Sequence, residues 1–153
     1  MQQNSDFVDL IRAFNAHNVT YLIVGAHALA AHGHIRATKD LDVFVEASLQ
    51  NAERVYAALA AFGAPLGNIS HEDLATEGNI LQIGVAPLRI DVMTRIDGIT
   101  FADACSDALK TTFAGEPVAV LSQRALIINK VASGRIQDLA DLEKLRPGPE
   151  PST

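Results

Sequence analysis

Tryptophan is absent, cysteine occurs once, and aromatic side chains make up 5% of the 153 residues. With so few rings, base-stacking platforms for single-stranded nucleic acid are not expected. The lone thiol, Cys105, excludes an internal disulfide and suits a reducing cytoplasm. No histidine stands near it in sequence to activate it as a nucleophile. Cations are scarce too: 12 Lys and Arg stand against 18 Asp and Glu, giving a net charge of −6 and a pI near 5.2. Phosphate backbones are held by Lys and Arg, so a non-specific coat on nucleic acid is excluded; an RNA acceptor would need a local basic patch or a basic partner. The apolar runs are short and broken by polar residues, so no membrane helix is expected. MQQNSDFVDL has no basic or apolar leader region, so no secretion signal is expected.

What is present suffices for a core. The hydrophobic fraction is 48% and the mean hydropathy +0.16. Residues 1–146 are expected to form one α/β domain, a small mixed sheet flanked by helices, and 147–153 a disordered Pro-rich tail. Ser5 can cap a first helix whose Phe7, Leu10, Ile11 and Phe14 form an apolar stripe. Residues 20–24 read as a strand buried on both faces, and 26–32 as a short helix stopped at Gly33. Ser48 opens a helix in which Leu49, Ala52, Tyr56 and Leu59 recur at helical spacing, and Gly63 ends it. Residues 64–78 form a loop with a helical turn near His71; 80–85 and 88–94 form a hairpin turning at Ala86-Pro87. A short helix over 101–109 and a second hairpin over 111–120, turning at Gly115, come next. Ser122 caps a helix with Leu126, Ile127 and Val131 on its apolar side, broken at Ser133-Gly134. Ile136, Leu139, Ala140 and Leu145 are expected to form the apolar side of the last helix.

The chemistry lies in YLIVGAHALAAHGHIRATKDLDVFV, residues 21–45. Asp40 and Asp42 fall on one face of a strand whose Leu41, Val43 and Val45 point the other way. Asp packs poorly on a pleated apolar surface, so two of them need a reason, and a divalent cation such as Mg²⁺ supplies one. Upstream, Gly25-Ala26 joins a strand to a helix, where unpaired N–H groups can seat a phosphate. Asp91 lies on the polar face of a later strand.

The run of hydrophobic strand, Gly25-Ala26, spacer, Asp40-Leu41-Asp42 and Asp91 resembles the nucleotidyltransferase superfamily with the DNA polymerase β-like fold. It is most similar to small bacterial and archaeal members linked to toxin–antitoxin and abortive-infection systems. The resemblance runs from the first helix to Leu145 and departs at Ala26, where the family usually has Gly or Ser; Ala leaves only its backbone N–H. It implies transfer of a nucleoside monophosphate from an NTP such as ATP to a hydroxyl on a protein, an RNA end or a small molecule. Mg²⁺ or Mn²⁺ would be the cofactor. Asp40 and Asp42 would hold two ions about 3.5–4 Å apart, and Asp91 the catalytic one while helping to deprotonate the acceptor.

Arg36 in RATKDLD suits either bidentate contact with a triphosphate or an ion pair with the Asp cluster. The family places a basic residue on a later helix against the triphosphate, a role the resemblance gives Lys130. Its alternative is an apolar stem packed on the core with the ammonium in water. Asp138 and Asp141 could orient Lys130 or Arg135, or serve the helix N-terminus and Lys144. His27, His32 and His34 match no zinc signature and suit helix-surface and loop roles, with His27 near the phosphates as the other option. The short length leaves no dedicated acceptor domain, so a cognate partner or a second subunit could supply that surface. Two other readings stay open. One is a non-catalytic, antitoxin-like binding protein, which Ala26 favours. The other is a metal-dependent phosphohydrolase, since three aspartates can also activate water.

Overall fold

In a computed structural model of the chain, the residues described are 5–35, 39–84 and 89–145. The elements run α1 (Ser5–Ala16), β1 (Tyr21–Val24), α2 (Gly25–Ala31), β2 (Asp40–Val45), α3 (Leu49–Phe62), α4 (His71–Ala75), β3 (Ile80–Ile83), β4 (Arg89–Met93), α5 (Phe101–Ser106), β5 (Leu109–Phe113), β6 (Glu116–Val120), α6 (Gln123–Ser133) and α7 (Ile136–Leu145). The strands form one mixed sheet of order β3-β4-β2-β1-β6-β5. β1 is antiparallel to β2 and parallel to β6; β2 is parallel to β4. The outer pairs β3–β4 and β5–β6 are antiparallel. The expected turn at Ala86-Pro87 and the tail at 147–153 lie outside the described residues. No described helix is long and apolar enough to cross a membrane.

Local chemistry explains most boundaries. The predicted stripe of α1 is the buried one, with Phe7, Leu10, Ile11 and Phe14 all in the core. Ser48, Ser70, Thr100 and Ser122 each accept a backbone N–H from the first turn of the helix they open. On β2, Leu41, Val43 and Val45 are fully buried, as the period of two requires. Buried Asn51 ties three elements together. Its side chain accepts from Thr20 N at 2.7 Å and donates to the carbonyls of Thr20 and Glu46, each at 2.9 Å. This residue gave no signal in the sequence, because its partners lie at the strand ends flanking β1 and β2.

Three helical faces differ from expectation. In α3 the buried stripe is Asn51, Ala52, Val55, Ala58 and Leu59, while Leu49 is exposed and Tyr56 only partly covered. In α6, Val131 is exposed and Lys130 is buried instead. In α7 Leu145 is buried as expected, but the rest of the expected apolar side is not: Ile136 and Leu139 are exposed, Ala140 with them, and Asp138, Asp141 and Leu142 are buried instead. The cause is Lys130. A buried ammonium demands carboxylates, and α7 turns its Asp138–Asp141 edge inward to supply them.

Candidate active site

A cleft of about 530 Å³ opens where the end of β1 meets β2, β4 and the α6–α7 corner. One wall is the strand face carrying Asp40, Asp42 and Asp91, with Gly25 and Ala26 at its edge. The other carries Asn129, Lys130, Ser133, Arg135 and Asp138, and the loop with Arg95 and Asp97 closes one end. That loop sits tight on α6: Asn129 Nδ2 donates to the Asp97 carbonyl at 2.9 Å, and a Cβ on Gly98 would lie 2.5 Å from the Ala132 Cβ.

The sheet register brings the aspartates together. Asp42 pairs with Asp91 across β2–β4, Asp40 pairs with Arg89, and Val24 pairs with Asp42 across β1–β2. Asp40, Asp42, Arg89 and Asp91 therefore share one face. Burial, then the charges of Asp91 and Asp40, push Asp42 up to about 6. Burial also raises Asp91, although Arg89 pulls the other way. A hydrogen bond from protonated Asp42 to Asp91 raises the first and lowers the second, as expected for two carboxyls competing for one proton.

Gly25 is fixed by the same geometry. Its φ is +69°, and a Cβ there would collide with Asp42 Oδ2 and lie 3.2 Å from Asp42 Cγ. The glycine lets the Asp42 carboxylate nestle against the strand–helix turn. Val24 provides no side-chain cap to α2, so the first-turn N–H groups beside Asp42 are not taken up by it.

Arg89 was not singled out by the sequence. Its Nη2 lies 3.6 Å from Asp40 Oδ2 and its Nε 3.2 Å from Asp91 Oδ1. The approach to Asp91 is not aligned for hydrogen bonding. Arg89 Nε and Asp91 Oδ1 are both buried atoms without a hydrogen-bond partner among the described residues.

Lys130 lines the cleft, but its ammonium is not in water. Nζ contacts Asp138 Oδ1 at 3.2 Å and Asp141 Oδ2 at 2.9 Å, and all three side chains are at most 5% exposed. Asp138 also accepts from Ser133 Oγ, and from Arg135 Nε at 2.7 Å. Burial alone would raise Asp138; the donors from Ser133, Arg135 and Lys130 outweigh it and hold its carboxyl below the ordinary range. Asp138 and Asp141 thus orient Lys130, and Asp138 orients Arg135 as well. Asp138 also lies in the first turn of α7, where it favours the helix N-terminus. Arg36 lies outside the described residues.

His27 is not a surface residue. Its ring packs edge-on between Phe7 and Phe113, at centroid distances of 5.7 and 5.3 Å, with Nε2 buried and unpartnered among the described residues. Burial lowers its pKa against a hydrogen bond to the Asp40 backbone, so it is a neutral packing residue behind the site. His32 Nε2 meets the Leu121 carbonyl at 2.7 Å. Cys105 is exposed and far in sequence from any cleft residue but the Arg95–Asp97 loop.

The donor atoms are of the kind a hard divalent cation takes. Three carboxylates share one face, Asp91 Oδ1 is buried without a hydrogen bond, and Gly25 keeps the space at Asp42 clear. Among the described residues, however, no group of three or more His, Cys, Asp or Glu stands close enough together to hold a metal ion.

The described sheet and helices share their fold with solved nucleotidyltransferases. A candidate nucleotidyltransferase from Thermotoga maritima superposes with a TM-score of 0.61 at 15% identity, covering 90% of this chain and 88% of its own. ANT(2″)-Ia, solved in complex with adenylyl-2″-tobramycin, gives 0.60 at 14% identity over 92% and 85% of the two chains. The lincosamide antibiotic adenylyltransferase LnuA, solved with lincomycin, gives 0.58 at 13% over 94% and 96%. No family model and no curated protein sequence matches the chain.

Proposed function

We propose that the protein is a metal-dependent nucleotidyltransferase that moves a nucleoside monophosphate from an NTP to an acceptor hydroxyl. The observation that carries this reading is the in-register pair Asp42–Asp91, with Asp40 on the same face, beside the Gly25 turn. Asp40, Asp42 and Asp91 would hold Mg²⁺ or Mn²⁺. Bound there, the ion would neutralise phosphate charge and align the α-phosphorus with the attacking oxygen. Asp91, raised by burial, suits the role of taking the proton from the acceptor hydroxyl. The acceptor oxygen bonds to the α-phosphorus as the bond to the β-phosphate oxygen breaks, and pyrophosphate leaves with that electron pair. The backbone N–H groups at Gly25-Ala26 would seat phosphate oxygens, and Arg36 is the further cation expected next to the triphosphate. Lys130 would serve phosphate from within its buried ion cluster, chiefly through the Arg135 that Asp138 holds at the cleft.

Fold neighbours named as antibiotic adenylyltransferases favour ATP as donor and a small hydroxylated molecule as acceptor. A protein or RNA end, as in toxin–antitoxin members of the superfamily, is the other acceptor class to test. The test is calorimetric titration of NTPs with and without Mg²⁺ into wild type and the Asp40→Ala, Asp42→Ala double variant. Binding that needs both Mg²⁺ and the aspartates is expected; identical binding in all four cases rules the reading out. Labelled nucleotide and pyrophosphate release then separate the classes: phosphate release would mark a phosphohydrolase. Partner capture without any transfer would mark the binding protein that Ala26 favours.

A further inference from the structure

We infer that Arg89 is a resident counter-cation of the aspartate triad and tunes its affinity for a divalent ion. The inference rests on the reading that Asp40, Asp42 and Asp91 hold such an ion. The guanidinium lies on the triad face because β2–β4 register sets Arg89 opposite Asp40 and two residues before Asp91. It reaches both carboxylates, at 3.6 Å to Asp40 and 3.2 Å to Asp91.

The quality of those contacts separates Arg89 from Arg12, Arg124 and Arg135, while Arg95 lies a looser 3.9 Å from Asp97. Arg124 makes aligned bonds to both oxygens of Asp107 at 2.8 and 3.1 Å; Arg135 reaches Asp138 at 2.7 Å and Arg12 reaches Glu116 at 2.8 Å. Arg–carboxylate pairs normally settle into such short, often bidentate geometry. Arg89 reaches two carboxylates, and its Nε and Asp91 Oδ1 face each other at 3.2 Å as buried atoms without an aligned hydrogen bond among the described residues. Such a placement neutralises charge while leaving that Asp91 oxygen uncommitted. A divalent ion that takes Asp91 Oδ1 meets a cation at the same oxygen, so Arg89 must withdraw as the ion enters. Its side chain is 38% exposed, which leaves it a path to solvent.

The experiment is calorimetric titration of Mn²⁺, without nucleotide, into wild type, Arg89→Gln and Arg89→Lys, with thermal melts in EDTA alongside. Arg89→Gln removes both the repulsion and the competition, so Mn²⁺ should bind about tenfold tighter. The EDTA form should melt lower than wild type and gain more from Mn²⁺. A lysine keeps the charge but cannot span two carboxylates, so its affinity should lie between the two. If Arg89→Gln does not fold in EDTA, the wild-type-to-Lys step carries the test, with about threefold tightening expected. Wild type binding Mn²⁺ with both variants equal or weaker would overturn the inference alone. Wild type failing to bind Mn²⁺ at millimolar concentration would overturn the metal reading and this inference with it.

Discussion

Replacing Asp42 by Asn should stabilise the metal-free protein, although it removes a residue proposed to be central to activity. Folding buries Asp42 between Asp91 and Asp40 and lifts its pKa from 3.8 to about 6. The folded state therefore binds a proton that the unfolded chain has already lost in that interval. The sign follows: well below pH 3.8 the carboxyl is neutral in both states and nothing is lost, whereas stability falls as pH rises through 3.8 toward 6 and stays lower above it. At about 1.4 kcal/mol per pH unit, the full penalty approaches 3 kcal/mol. Asn keeps the shape, carries no charge, and its amide can donate to Asp91. In urea unfolding with EDTA, Asp42→Asn should exceed wild type by about 1–3 kcal/mol near pH 7.5, and by under about 1 kcal/mol near pH 4. Taking the difference between the two proteins cancels the opposite contribution of depressed groups such as Asp138. Excess Mg²⁺ should restore wild type and leave the variant unmoved. A gap that does not widen with pH, or a variant less stable than wild type in EDTA at neutral pH, would refute the electrostatic account.

Other positions make equally direct claims. Gly25→Ala forces a side chain into a left-handed turn and against Asp42 Oδ2; a loss of about 1–2 kcal/mol in urea unfolding and loss of Mg²⁺-dependent nucleotide binding are expected together. Asn51→Ala leaves Thr20 N–H and two carbonyls without their side-chain partner and should lower stability by about 2–4 kcal/mol, with nucleotide affinity little changed in the folded fraction. Lys130→Met strips the cation from two buried carboxylates and should lose about 3–5 kcal/mol in chemical denaturation. Adding Asp141→Asn should recover a substantial part of that loss, read as a double-mutant cycle.

The parts of this molecule visible in its sequence are those set by short-range periodicity. Asp40 and Asp42 had to share a face because a strand alternates, and Asp91 had to lie on the polar face of its own strand for the same reason. The caps at Ser48 and Ser122 and the stripe of α1 are equally local. What stayed hidden depends on register between distant strands. Arg89 stood on the polar face of its strand from the start, but nothing local says that it falls opposite Asp40, since the two strands are joined through α3, α4 and β3. The expected face of α7 failed for a related reason. Periodicity assigns the apolar side to the core, yet Lys130 on α6 draws Asp138 and Asp141 inward and leaves Ile136 and Leu139 outside. His27 misled because a lone polar residue on a short helix does not announce the rings of Phe7 and Phe113 that enclose it.

The two charged groups of the cleft are balanced differently, and that contrast bears on what enters it. On the α6–α7 wall, Lys130 and Arg135 meet Asp138 and Asp141 in equal number, through aligned bonds, with little exposure of the inner three. Such a cluster has no charge left to offer except through the outward guanidinium of Arg135, whose side chain is 76% exposed. On the strand wall, Asp40 and Asp91 gather around the guanidinium of Arg89, with Asp42 on the same face. Burial together with neighbouring carboxylates raises a carboxyl pKa, as it does for Asp42, unless a cation arrives. The neutral wall opposite can then face phosphate without adding to the repulsion, and Arg135 is placed to meet it. An anion alone would be repelled by the strand wall, so nucleotide should bind weakly in EDTA and tightly only with the metal. Ordered binding of this sort is measurable: NTP affinity should rise with Mg²⁺ concentration until the strand wall saturates, and in Asp42→Asn the dependence should flatten.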